Sequence, residues 1–156
     1  MDQDAINKCA EGLSENFRTE IEIYTAILEL TKKENETILS GMIDKTLEFV
    51  KQKQDLLLKI EAIEQSQTDL KKIWSECRHQ VPEDKKKSIR SKLAVLGKLL
   101  EDLIHLEKKN EKILSESIVK AKSQSPQGSA PAKNVAQAYG EKTKENKEKG
   151  RDYRNN

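Results

Sequence analysis

The chain has 156 residues, 36% of them charged and only 4% aromatic. That length allows one domain plus a tail, and a mixture rich in Glu, Lys, Leu and Ile but poor in Gly, Pro and aromatics belongs to long helices rather than to a pocketed enzyme. The net charge of +2 hides an imbalance: residues 121–156 carry eight Lys/Arg and four Asp/Glu, a net of +4, against 21 basic and 23 acidic side chains, a net of −2, in the first 120; the interleaved acids make that tail a poor polyphosphate binder.

The first predicted helix covers about residues 4–40. Ile6, Ala10, Leu13, Phe17, Ile21, Tyr24, Ile27, Leu28, Ile38 and Leu39 recur at helical spacing. Seven-residue steps join Ala10, Phe17, Tyr24, Thr31 and Ile38 into one seam. Gly41 is the expected stop, because glycine adopts the left-handed C-terminal conformation cheaply. A second helix is predicted from residue 43 to 77 or 78, on the series Met42, Phe49, Leu56, Ile63, Leu70 and Cys77, widened by Val50, Leu57, Ile60, Ile73 and Trp74. "RHQVPED" then interrupts the pattern: Pro82 suits a first helical turn, and Glu83 and Asp84 favour a helix start. A third helix covers about residues 83–122, striped by Ile89, Leu93, Leu96, Leu99, Leu100, Leu103, Leu106, Ile113, Leu114 and Ile118. Its stripe thins where Glu107, Asn110 and Ser117 fall on or near the seam, as if the helix outran its neighbours and offered a binding surface there. Short joints at Gly41 and Pro82 favour antiparallel neighbours. The expected fold is all-α: an elongated antiparallel bundle of three long helices, or a hairpin with the third helix docked on it, over residues 1–122.

Residues 123–156 form the expected tail. "SQSPQGSAPAK" is linker chemistry, and the remainder of the tail is too polar to offset its own ordering entropy. It nevertheless holds a small apolar group, Val135, Ala136, Ala138 and Tyr139, with Gly140 next in the chain. An aromatic such as Tyr139, with no core of its own, reads either as incidental or as an anchor for a groove on another protein.

Catalytic chemistry is not visible. Cys77 and His79 make a Cys-x-His pair, but a metal site needs three or four converging ligands, and Cys77 continues a helical seam. His105 sits on a helix flank, and no Gly-rich phosphate loop follows a strand. The run "DKKKSIRSK" lacks interleaved aromatics to stack bases. Trp74 is either a core anchor or a partner-facing aromatic. The expectation is a non-enzyme without metal or cofactor that binds neither nucleic acid nor membrane. The N-terminal "MDQDAINKCAEG" lacks the apolar run of a signal peptide, no stretch approaches ~18 consecutive apolar residues, and two cysteines fit a reducing compartment. A cytoplasmic location is therefore expected.

In order, "IYTAILELTKKENETILSG", "KTLEFVKQKQDLLLKIEAIEQ", "LIHLEKKNEKILSESIVKAK" and "AYGEK" resemble the FlgN family of flagellar type III export chaperones. The matching features are the spaced leucines and Glu of the first helix, the charged run ahead of a Leu-Leu pair in the second, Asn110 with Ile113 and Leu114 in the third, and Tyr139-Gly140 in the tail. The tail differs from the family at Glu141, Lys142 and Thr143, where a second glycine is common. The resemblance implies a chaperone that binds the C-terminal segments of hook-associated proteins 1 and 3. It would keep them unassembled and deliver them to the cytoplasmic domain of the export gate protein FlhA. It further implies client contact at Asn110, Ile113, Leu114 and Ile118 and gate contact at Tyr139 and Gly140. The competing expectation is a self-associating coiled-coil scaffold without flagellar clients.

Overall fold

The computed structural model of the chain describes residues 1–124. They form α1 (Gln3–Leu39), α2 (Thr46–Ser66), α3 (Thr68–Cys77) and α4 (Glu83–Gln124), with single 3-10 turns at Ile43–Lys45 and Arg78–Gln80 and no strand among the described residues. The three long helical segments expected from the sequence are all present, arranged as a bundle.

Local chemistry explains the ends. The Asp2 carboxylate accepts the Asp4 amide at 3.1 Å and so caps the start of α1. At the other end Gly41 adopts φ 78°. Its amide reaches the Ile38 carbonyl at 3.0 Å and the Met42 amide reaches the Thr37 carbonyl at 3.1 Å. That pair of bonds is the Schellman closure, which needs a left-handed residue at the glycine's position. Before α4, Val81 is extended (φ −79°, ψ 136°), as a residue preceding proline must be, and the Pro82 carbonyl accepts the Lys86 amide at 3.1 Å.

The second segment departs from expectation in two ways. It is interrupted at Gln67, whose amide is shared between the carbonyls of Ile63 (3.0 Å) and Glu64 (3.2 Å). The Ser66 hydroxyl also bonds the Ile63 carbonyl, at 2.7 Å, and competition of this kind for a helical carbonyl distorts the ladder. Helical bonding resumes with Lys71 on Gln67, at 2.8 Å. Its inward face is also displaced from the expected series. Thr46, Val50, Lys53, Leu57, Ile60 and Gln67 are buried, whereas Phe49, Leu56, Ile63 and Leu70 are half-buried flanks. Met42 is exposed, and of the expected series only Cys77 is fully inside.

α1 is the hub. Apart from Cys9, its buried residues Ile6, Ala10, Leu13, Phe17, Glu20, Tyr24, Ile27, Thr31, Glu34 and Ile38 alternate steps of four and three, the spacing of a coiled-coil seam. It packs most extensively on α4 and then on α2 and α3. The hydrogen bonds Lys92–Ser14 and Asn110–Thr31 share separations of 78 and 79 residues, so α4 runs parallel to α1. Glu34 meets Lys53 and Glu20 meets Gln67, so α2 and α3 run antiparallel to both. The main core joins Ile6 to Ile27 of α1 with Leu57, Ile60, Cys77, Ile89, Leu96, Leu100 and Leu103.

Leu103 lies wholly inside this core. Leu103→Ala is expected to lower stability by about 2–5 kcal/mol. Urea unfolding followed by circular dichroism measures this, with helicity retained in the absence of denaturant.

Candidate partner-binding end of the bundle

Beyond Leu103 the interior becomes polar. Glu34 of α1, Lys53 of α2 and Glu107 of α4 meet with no solvent exposure: the Lys53 ammonium pairs with the Glu34 carboxylate and lies 2.7 Å from Glu107 Oε1. It also donates to Thr31 Oγ1 at 3.2 Å, while the Thr31 hydroxyl donates to the Ile27 carbonyl at 2.8 Å. Asn110 extends the layer. Its amide donates to the Thr31 carbonyl at 3.1 Å, and its carbonyl accepts from the Asn35 amide at 2.7 Å. Burying one ammonium and two carboxylates costs several kcal/mol per ion before their attraction offsets it. Glu107 Oε2 has no hydrogen-bond partner among the described residues, so the layer is an imperfect replacement for hydration.

Past this layer lies a second, small apolar cluster. Ile38, Val50 and Leu114 are buried in it, with Ile43 and Ile113 packed against them. The polar residues separate it from the main core. α1 ends one residue after Ile38, whereas α4 continues to Gln124. The last turns of α4 therefore run beyond the end of α1. Four of the seven large hydrophobic residues exposed among the described residues, Leu39, Met42, Leu47 and Val119, belong to this end; the other three, Met1, Leu58 and Val95, are scattered. Ile43, Ile113 and Ile118 are half-buried nearby in the chain. Scattered apolar side chains are ordinary on a protein surface, but several at one end of a bundle mark an interaction surface.

This changes the surface expected from the sequence. Asn110 and Leu114 have no exposure at all; they are committed to the polar layer and the end cluster of the bundle itself. The stripe thins at Glu107 and Asn110 because the interior they face is polar, not because the helix has left its neighbours there. The overhang begins later: Ile113 is half-buried against the end cluster, whereas Ile118 is half-buried and Val119 67% exposed where α4 passes the end of α1. Tyr139 and Gly140 lie outside the described residues. Lys53 and Glu34 were not anticipated. The available signal was their position on the seams, Lys53 between Val50 and Leu57 and Glu34 between Thr31 and Ile38, with opposite charges on facing helices.

The remaining candidate residues lie elsewhere on the bundle. Cys77 is buried, and His79 is exposed with its ring nitrogen 3.2 Å from the Gln80 side-chain amide. No group of three or more His, Cys, Asp or Glu is placed to hold a metal ion among the described residues. His105 is exposed. Trp74 is half-buried in a groove floored by Leu13, Phe17, Ile89 and Leu93, with Lys71 and Arg78 at its rim. No described helix is long and apolar enough to cross a membrane.

Removing the ammonium alone, Lys53→Met, strands two buried carboxylates and is expected to cost about 3–5 kcal/mol. Replacing the whole set, Glu34→Leu with Lys53→Met and Glu107→Leu, is expected to return stability to the parent value or above it by about 1–4 kcal/mol. Urea unfolding of the two variants beside the parent distinguishes a buried charge cluster from a merely tight contact.

No protein-family model, no curated protein and no solved structure matches the chain.

Proposed function

We propose that the protein is a helical export chaperone of the FlgN type, which holds the C-terminal helical segments of hook-associated proteins 1 and 3 before assembly and hands them to the cytoplasmic domain of FlhA. The observation that carries this reading is the exposed apolar end, Leu39, Met42, Leu47 and Val119, beside an α4 that runs past α1. An amphipathic client helix laid along that overhang would cover the face that the bundle leaves open. Covering apolar area contributes roughly 25 cal/mol per Å² before association costs are subtracted. The client surface is assigned to Ile113, Ile118 and Val119 of α4 with Leu39 and Met42 of the turn. The Tyr139-Gly140 pair is assigned to the gate protein, on the resemblance alone.

The end cluster suits a holding role for a physical reason. It is small, and the polar layer divides it from the main core. Local opening there would not require the main core to open.

The double substitution Ile118→Asp with Val119→Asp is expected to weaken binding of the hook-associated C-terminal segments by at least about tenfold, in calorimetry, while the circular dichroism spectrum stays that of the parent. Full-strength binding by this variant sinks the surface assignment. Tyr139→Ala is expected to spare client binding and weaken binding to the FlhA cytoplasmic domain. A stable dimer in sedimentation together with no binding to either client would favour the scaffold alternative instead.

A further inference from the structure

The first turns of α1 and the last turn of α3 hold the only two cysteines of the chain, Cys9 and Cys77, both buried. The register of the bundle brings them together. Glu20 faces Gln67; three helical turns back along α1 and three turns onward along α3 lead to Cys9 and Cys77. Both belong to the main core cluster, and the Cys9 thiol donates to the Leu70 carbonyl of α3 at 3.4 Å. Small residues let the helices approach closely here: a Cβ added to Gly12 would stand 3.2 Å from Leu70 Cδ1.

We propose that Cys9 and Cys77 are a latent dithiol that a small disulfide such as oxidised glutathione converts into an internal disulfide, tying α3 to α1. Burial first, and the adjacent Cys77 second, push Cys9 up to about 11. In the closed bundle Cys9 is therefore a thiol at neutral pH, and exchange waits on local opening. α3 is the element suited to open. It has ten residues and begins at the distorted Gln67, where α2 ends. Once exposed, one cysteine thiolate attacks a sulfur of the small disulfide, and half of that molecule leaves as a thiolate. The second cysteine thiolate then attacks the sulfur of the protein-bound mixed disulfide, the Cys9–Cys77 bond forms, and the other half leaves. The protein loses two electrons and two protons; the small disulfide is reduced to two thiols that take them up. The bond would also fix α3 along the groove that holds Trp74, which is lined by residues of α1, α3 and α4.

The test is incubation of the full chain with oxidised glutathione in native buffer, then intact-mass analysis, peptide mapping and thermal unfolding. The expected product is a monomer lighter by two hydrogens, mapped to Cys9–Cys77. It should retain the parent helicity and show an unfolding midpoint raised by about 5–10 °C that dithiothreitol reverses. Cys9→Ala and Cys77→Ala should each give no internal bond. Glutathione adducts without an internal bond, linkage between chains, no reaction after prolonged oxidation, or a bond formed only in urea would each overturn the proposal.

Discussion

Three charges, one from each long segment of the bundle, meet where no water reaches: Glu34, Lys53 and Glu107. A leucine seam alone tolerates sliding, because one apolar layer packs almost as well against the next. A buried ammonium does not, since moving it by one turn would leave both carboxylates unpaired. Thr31, Asn35 and Asn110 narrow the choice further, each satisfied only when α4 stands about 75–79 residues along from α1. The layer thus sets the register of all three segments. That register then decides which side chains are enclosed and where the helices end relative to one another.

One result is an interior in two parts. The larger runs from Ile6 to Leu103 and includes the buried Glu20–Gln67 contact at 3.3 Å. The smaller, around Ile38, Val50 and Leu114, has few neighbours of its own. A domain whose apolar contacts are divided in this way need not open all at once. The exposed residues gathered at the smaller part therefore lie where opening would leave the main core closed. That coincidence underlies the chaperone reading.

Much of this architecture was legible in the residues. The α1 seam could be read directly, because Ala10, Phe17, Tyr24, Thr31 and Ile38 repeat every seventh position and the structure buries every one. Gly41 and Pro82 marked both reversals. The middle stripe is centred one position off: the heptad series through Phe49, Leu56 and Ile63 is half-buried, while Val50, Leu57 and Ile60, which only widen the expected stripe, point inward. Counting apolar residues cannot centre a stripe whose true line passes through Lys53 and Gln67. For the same reason the thinning at Glu107 and Asn110 read as an overhang; a polar residue on a seam looks alike whether it faces solvent or a complementary polar interior. Only the partner residues from other helices distinguish the two, and pairing across helices is tertiary information. The break at Gln67 depends on the Ser66 hydroxyl competing for a carbonyl, which no periodicity signals.

Because α4 runs parallel to α1, the chain leaves the described bundle at Gln124 from the same end that displays Leu39, Met42 and Val119. The amino terminus of α1 is at the opposite pole, roughly 55 Å away for a helix of 37 residues. A bulky group joined directly after Gln124 would therefore crowd the apolar face, while one joined before Gln3 would leave it clear. A ligand taken up by the α4 overhang and one taken up by the chain that follows Gln124 would be joined through a single polypeptide. Occupancy of one would raise the local concentration of the other's partner without a single new contact.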